Sequence, residues 1–302
     1  MKVVITGANS AVGQAILRCG PQHEGAANTF VAAVRSARAA EQIRAQAGNA
    51  DGVVQISYED PGSLDAAFQG ASAVIHLAGI LVERPDSTYE QANVVSTRSV
   101  VEAAKRSAVQ KFVLISATGA DETSSNRYYR TKGQAESLVR ASGLCYTVLR
   151  APLLLGPGTA GGAALKRHVS HSHAKLIGGG RNFQQPLYVE DLARAAVAAA
   201  QPSVASNLVL DLVGPVCLTE REITERAARL LGRQVRIGSI PIPWLSLVLA
   251  IRQLIGKPGF SRDALEVITA DTRLDPKPAA DALGIQFTGI DEMIKNSLGQ
   301  EG

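Results

Sequence analysis

Aromatic residues are scarce in this sequence: Phe, Trp and Tyr make up 4% of its 302 positions, with a single tryptophan. No Lys/Arg block is interleaved with them, which argues against the base-stacking platforms of single-strand-binding proteins. Neither sign of charge dominates, with 31 Lys and Arg against 27 Asp and Glu and a formal charge of +4. That excess favours phosphate-bearing ligands only mildly and is well short of a nucleic-acid binder, so no nucleic acid is expected as a partner. The cysteines number three, Cys19, Cys145 and Cys217, far apart in the chain. No CxxC or Cys/His ligand spacing occurs, which removes support for structural zinc. The thiols are expected to be buried, in a reducing compartment. No apolar run reaches the roughly 20 residues that a bilayer span needs. Met1 leads within one residue into a strand-like run, so no signal peptide is expected and the predicted location is cytoplasmic.

What is present is 46% hydrophobic residues, enough for a substantial core. The first half alternates short β-branched runs with helix-like stretches, the pattern of βαβ units in a parallel sheet. Strands are predicted at 3–6, 29–34, 53–56, 73–77, 112–116 and 146–149. Helices are predicted to start near Val12, Ala37, Pro61, Tyr89 and Tyr128. The fold class is therefore α/β: a Rossmann doubly wound parallel sheet with a smaller C-terminal α/β substrate lobe. The expected boundaries are 1–155 for the nucleotide-binding domain, with 185–200 returning to it, and 156–184 plus 201–302 for the lobe. Within the lobe, Thr219 and Glu222 are spaced as a capping box at a helix start.

The segment from Val4 to Ile16 reads as a strand, a tight turn and a helix start. Gly7 permits the turn, Gly13 lets helix and strand approach, and the N–H groups around Asn9, Ser10, Ala11 and Val12 can face a pyrophosphate. Ser10 stands where glycine is usual; its Cβ crowds the phosphate, and its hydroxyl can donate a hydrogen bond in exchange. At the end of the second predicted strand, Arg35 and Arg38 stand where an acidic residue would mark NAD. Both can make charge-assisted contacts to a 2′-phosphate, so the expected cofactor is NADP(H).

These residues, with His76-Leu77-Ala78-Gly79, Asn93, Tyr128-Tyr129-Arg130-Thr131-Lys132, Leu149-Arg150-Ala151-Pro152 and Pro186-Leu187-Tyr188-Val189-Glu190-Asp191, resemble the extended and atypical branches of the short-chain dehydrogenase/reductase superfamily. Arg127 to Lys132 and Leu176 to Gly180 look like the nucleotide-binding accessory subunit of respiratory complex I and its bacterial relatives; the chain is similar also to regulator-like and small reductase members. The resemblance implies that Ala78 and Gly79 line the cofactor, that Pro152 cradles its nicotinamide side, and that Tyr128 transfers the proton. It implies that Lys132 binds the nicotinamide ribose and lowers the tyrosine pKa. Spacing agrees with the pairing, because residues four apart share a helix face. The chain departs from the superfamily pattern twice. Ala117 stands where a Ser or Thr usually holds the substrate oxygen, which leaves Ser116 or Thr118 if the turn is shifted. Ser57 stands where an acidic residue normally contacts adenine.

His168, His171 and His173 have no carboxylate or Cys to complete a ligand set, so no metal is expected and the segment reads as a solvated loop near the substrate mouth. Residues 242–255 are the most apolar stretch. They read as a buried or lobe-capping helix, or as a docking helix for a protein or membrane surface with Trp244, Arg252 and Lys257 at its margin. Two functions follow: an NADP(H)-dependent oxidoreductase acting on a small carbonyl, quinone or sugar-derived substrate in the cleft between sheet and lobe, or a non-catalytic NADP(H)-binding regulator or assembly subunit.

Overall fold

Short apolar runs buried on both faces form the centre of the molecule, as parallel strands covered by helices must. A computed structural model describes residues 1–20, 28–46, 52–77, 79–254 and 260–299. The first half runs β1 (Lys2–Thr6), α1 (Ala11–Cys19), β2 (Thr29–Val34), α2 (Ala37–Gln46), β3 (Gly52–Gln55), α3 (Pro61–Phe68) and β4 (Ala73–His76). A π-helical turn at Glu90–Val95 leads into α4 (Ser96–Arg106), followed by β5 (Lys111–Ala117), α5 (Arg127–Arg140) and β6 (Tyr146–Ala151). The second half contains β7 (Leu154–Leu155), α6 (Ala160–Val169), β8 (His173–Ile177), β9 (Phe183–Gln184), β10 (Leu187–Tyr188), α7 (Val189–Ala199) and β11 (Leu208–Asp211). It closes with β12 (Leu218–Thr219), α8 (Glu220–Leu230), β13 (Arg236–Ile240), α9 (Ile242–Leu254), α10 (Arg262–Thr269), α11 (Lys277–Leu283) and α12 (Ile290–Leu298).

The main sheet has the order β11-β6-β5-β4-β1-β2-β3, all parallel. The chain reverses direction across the sheet between β1 and β4, and the crevice outside such a switch point is where open α/β sheets receive ligands. Alternate residues of β1 face opposite sides: Val3 and Ile5 join the core under α1 and α7, whereas Val4 packs with Leu64, Phe68, Val100 and Val139 on the other face. The six predicted strands are all present. The seventh, β11, lies in the stretch assigned to the lobe, yet Leu208 to Asp211 pair with Thr147 to Arg150 of β6. That segment belongs to the sheet, where it extends the β6 edge.

Outside the main sheet, β8 pairs with β13, β9 with β12 and β7 with β10. Thr219 caps α8 through its hydroxyl to the Glu222 N–H while the Glu222 carboxylate accepts from Thr219, completing the capping box. The expectation of buried thiols is corrected: Cys145 is exposed and Cys19 and Cys217 are only partly covered, because the apolar neighbours of Cys145 in sequence turn inward without it. No helix among the described residues is long and apolar enough to cross a membrane.

A buried carboxylate ties the C-terminal helices to the sheet. Asp191, in the first turn of α7, accepts from the Thr288 N–H and hydroxyl, each at 2.7 Å, and pairs with Arg194. Burial pushes its pKa up, opposed by the bonds from Thr288. Asp191→Ala strands these donors beside a buried site, and the expected loss of stability is about 2–4 kcal/mol. A urea titration should show a lower midpoint at constant slope; an unmoved midpoint would refute this role.

Candidate functional site

The site begins where β1 ends. Gly7 takes φ +74°, a left-handed conformation that favours glycine, and its carbonyl accepts from the Ser10 N–H at 3.0 Å to close the turn. Ser10 caps α1, its Oγ accepting from the Gly13 N–H at 3.1 Å. With Gly13 capped by Ser10, the N–H groups of Ala11 and Val12 are left over at the helix start, the kind of end that receives anions. A Cβ on Gly13 would stand 2.4 Å from the Ala8 carbonyl oxygen, so only glycine allows α1 to pack this close behind β1. Asn9 is exposed at the loop tip, and the Ser10 hydroxyl hydrogen remains available as the sequence reading required.

At the tip of β2, Arg35 and Arg38 are both exposed, and Ser36 caps α2 by accepting from the Ala39 N–H at 3.2 Å. The Arg35 carbonyl is held by Gln55 at 3.3 Å. Tyr58 stands near Arg35; burial pushes its phenol up to about 12, with the guanidinium opposing. Ser57 is exposed after β3 and spends its hydroxyl on the Glu59 N–H. Ala78 lies outside the described residues. Gly79 is exposed, and a Cβ there would be 3.0 Å from Asn93 Oδ1 and 3.3 Å from Lys132 Nζ.

A buried polar row connects this nucleotide end to the second half of the site. Thr6 Oγ1 lies 2.6 Å from His76 Nδ1, His76 Nε2 lies 3.2 Å from Thr97 Oγ1, and Thr97 donates to the Asn93 carbonyl at 2.6 Å. Because the Thr97 hydrogen is committed to Asn93, the ring nitrogen facing Thr97 carries the imidazole proton, and Nδ1 accepts from Thr6. Burial, with a smaller contribution from Lys132, lowers the His76 pKa to about 3 and keeps the ring neutral. Asn93 then donates to Thr131 Oγ1 at 2.9 Å, which anchors α5. Asn93 sits in the π-helical turn, a deviation that re-aims side chains at functional sites.

The start of α5 is fixed by Asn126, whose Oδ1 accepts from the Tyr128 and Tyr129 N–H groups at 3.0 and 3.3 Å. Its amide donates to Glu266 Oε2 at 2.9 Å on α10, so the lobe holds the helix that carries Tyr128. Lys132 is buried and donates to the Ile115 carbonyl at 2.8 Å. Burial pulls its pKa down to about 8, with Glu136 opposing. The resemblance implied a lowered pKa for Tyr128, and the folded chain has the opposite sign. Burial pushes the phenol above its ordinary value, and Tyr129 and Tyr89, packed at 5.7 and 5.9 Å between ring centroids, act in the same direction. Tyr128 is therefore held protonated.

A cavity of about 400 Å³ opens between sheet and lobe, with Tyr128, Ala117, Thr118 and Pro152 on its wall. Ser116 is not there. Its hydroxyl donates to Glu136 Oε1 at 2.6 Å, and Glu136 is fully buried against Arg150. Strand β5 continues without a shifted turn, so Ser116 faces α5, Ala117 faces the cleft, and Thr118 follows it onto the wall. Of the two hydroxyls proposed for the substrate oxygen, only Thr118 is in position. The histidines also divide: His168 sits on α6 and lines the cavity, His171 follows that helix, and His173 is an exposed residue of β8. Tyr129, quoted only as part of the motif around Tyr128, lines the cavity too, as do Gln184 and Glu220, which nothing in the sequence distinguishes from ordinary polar positions.

A family model described as NAD(P)H-binding matches residues 7–201. Among curated proteins, a ceramide reductase of Caulobacter vibrioides is 29% identical over 238 residues, covering 76% of this chain and 74% of that one. The mitochondrial NADH dehydrogenase [ubiquinone] 1 alpha subcomplex subunit 9 of Arabidopsis thaliana is 26% identical over 74% of this chain, and the match spans 60% of the plant subunit. Among solved structures, UDP-glucuronic acid 4-epimerase from Bacillus cereus, in complex with UDP-glucuronic acid and NAD, superposes with a TM-score of 0.78 at 18% identity, covering 99% of this chain and 98% of that one. At that identity the likeness establishes the fold alone.

The neutral imidazole at the centre of the polar row gives a pH prediction. The unfolded chain protonates His76 near 6.5 and the folded chain only near 3. Stability is complete above 6.5 and falls as the pH drops through that window, by about 2 kcal/mol between pH 7.5 and 5 from this ring alone. His76→Gln should be less stable at pH 7.5 and show a correspondingly flatter decline in chemical denaturation. Parallel declines in the two proteins would remove His76 as the cause.

Proposed function

The chain belongs to the NAD(P)H-binding family, and on that premise we propose that it is an NADP(H)-dependent reductase of the short-chain type, acting on a carbonyl compound in the cleft beneath Tyr128. When bound, the nicotinamide supplies hydride transfer, which is the cofactor's own chemistry. The chain's part is to hold the dinucleotide and deliver a proton. Gly7 to Gly13 are shaped for the pyrophosphate, with Ala11 and Val12 contributing N–H groups. Arg35 and Arg38 favour a 2′-phosphate over a bare ribose, since guanidinium groups form strong charge-assisted bonds to phosphate. Lys132, buried beside Gly79, is suited to the nicotinamide ribose, and Pro152 to the adjoining wall.

The observation that carries the reading is the placement of Tyr128, with Thr118 and Pro152, on the wall of the cavity between sheet and lobe. Addition of hydride to a carbonyl leaves an alkoxide that needs a proton, and a phenol kept in its acid form meets that need. Thr118 is the hydroxyl available to orient the carbonyl oxygen. The ceramide reductase relative supports a reductive direction.

One feature favours a second reading, a non-catalytic NADP(H)-binding subunit. On α9, Trp244, Leu247 and Ile251 are 60, 60 and 51% exposed, an apolar face fit for docking a protein or membrane surface. This reading is supported by the likeness to the complex I subunit. It also replaces the expectation that the helix is buried; Lys257 lies outside the described residues.

Two measurements separate the possibilities. Tyr128→Phe should lower NADPH-dependent reduction about a hundredfold or more while leaving NADPH affinity intact; cofactor binding without turnover on any carbonyl or quinone would favour the subunit. Arg35→Ala should weaken NADPH about tenfold or more and NADH little. Equal weakening in a fluorescence titration would overturn the assignment of the 2′-phosphate.

A further inference from the structure

The reductase reading leaves open which carbonyl compounds enter, and the walls of the cavity bear on that. From Tyr128 and Thr118 the cavity extends into the lobe between α6, α8 and α10, lined largely by aliphatic side chains such as Leu155, Leu165, Ile223 and Ile268. No lysine or arginine among the described residues lines it. A nucleoside diphosphate sugar would bring a charged diphosphate into this space, and buried phosphate oxygens require cationic or dense N–H partners. An apolar molecule meets no such penalty.

Two polar groups interrupt the apolar lobe side. Glu220 is the first residue of α8, but the capping box is closed by Glu222, which leaves the Glu220 carboxylate without a hydrogen bond or ion pair to any described residue. Burial pushes its pKa up. His168, in the last turn of α6, is likewise without a partner among the described residues, and burial lowers its pKa, Arg167 adding to the effect. Both side chains are only partly covered and keep access to water, so a ligand that fills the cavity and displaces that water must replace its hydrogen bonds. Both groups line one cavity, and α6 and α8 pack against each other.

We infer that the cavity takes an apolar carbonyl compound that carries a hydroxyl or amide N–H remote from its carbonyl, and that Glu220 and His168 recognise that group. The inference rests on the reductase reading for the position of the carbonyl, at Tyr128. The far end of the substrate donates to the Glu220 carboxylate, and the imidazole of His168 offers a second donor or acceptor according to its tautomer. The aliphatic middle of the molecule fills the space between.

The test uses the full chain loaded with NADPH and two probe series, medium-chain 2-alkanones and the same ketones bearing a terminal hydroxyl. Calorimetry should show the hydroxylated ketones binding about tenfold tighter at the best length, because a site built around a hydrogen bond discriminates strongly against the analogue lacking it. Glu220→Leu should reduce that ratio to near one, and Glu220→Gln, which retains an acceptor, should keep part of it. His168→Phe should lower it as well. UDP-glucose should give no heat. An unchanged ratio in the Glu220 variants, or micromolar binding of UDP-glucose, would overturn the inference. Reduction of both series without discrimination sinks the recognition role alone, whereas discrimination without NADPH oxidation sinks the reductase reading and leaves the recognition role standing.

Discussion

The organisation of the site depends on one buried imidazole. His76 ends β4 at the switch point, receives a hydrogen from Thr6 at the end of β1 and gives one to Thr97 of α4. Through Asn93 the row continues to Thr131, one residue before Lys132. A ring that stays neutral can act as acceptor at one nitrogen and donor at the other, so every member of the row is satisfied without a net charge in the core. The strand that opens into the phosphate loop and the helix that carries Tyr128 and Lys132 are thereby held by the same set of bonds. Charging the ring would remove the acceptor that Thr6 uses and place a net charge in the core, which burial disfavours.

Burial has opposite consequences for the two neighbouring groups on α5. It makes the phenolate of Tyr128 unfavourable and the ammonium of Lys132 unfavourable, so the first rises and the second falls. Attraction between ammonium and phenolate would lower the phenol, but the Lys132 ammonium is directed to the Ile115 carbonyl instead, and the aromatic packing around Tyr128 prevails. A phenol raised in this way holds its proton more tightly and is the weaker acid, so burial by itself sets no direction for hydride transfer.

Much of this was legible in the sequence because parallel strands and their helices leave simple periodic traces. The first six strands and the starts of α1, α2, α3 and α5 are visible as apolar runs bounded by Gly, Ser, Asn and Pro, and Thr219 with Glu222 announces α8. The edge strand β11 escaped because it is short and largely half-exposed, although the helix that leads to it, α7, lies in the stretch expected to return to the sheet domain. Ser116 illustrates a subtler limit. Period-two alternation puts it on the face shared by Phe112 and Leu114, which pack beneath α3, α4 and α5. The sequence contains that alternation but not the information that the opposite face opens into the cleft. The interactions of His76 and Glu136 were invisible for a related reason: each is defined by partners many residues away.

The lobe determines more than the outer wall of the cavity. Asn126 and Arg127 at the start of α5 bond to Glu266 and Asp263 of α10, while Val267 and Ile268 of the same helix line the cavity and α9 packs on α10. An apolar exposed helix, an apolar cavity wall and the N-terminus of the tyrosine-bearing helix are thus consecutive layers. At 13 residues α9 spans about 20 Å, too short to cross a bilayer, but Trp244, Leu247 and Ile251 recur at the spacing of one helical face. The two proposed readings therefore meet at one structural element, α10, which packs on α9 and bonds to the Asn126 cap of the helix that carries Tyr128.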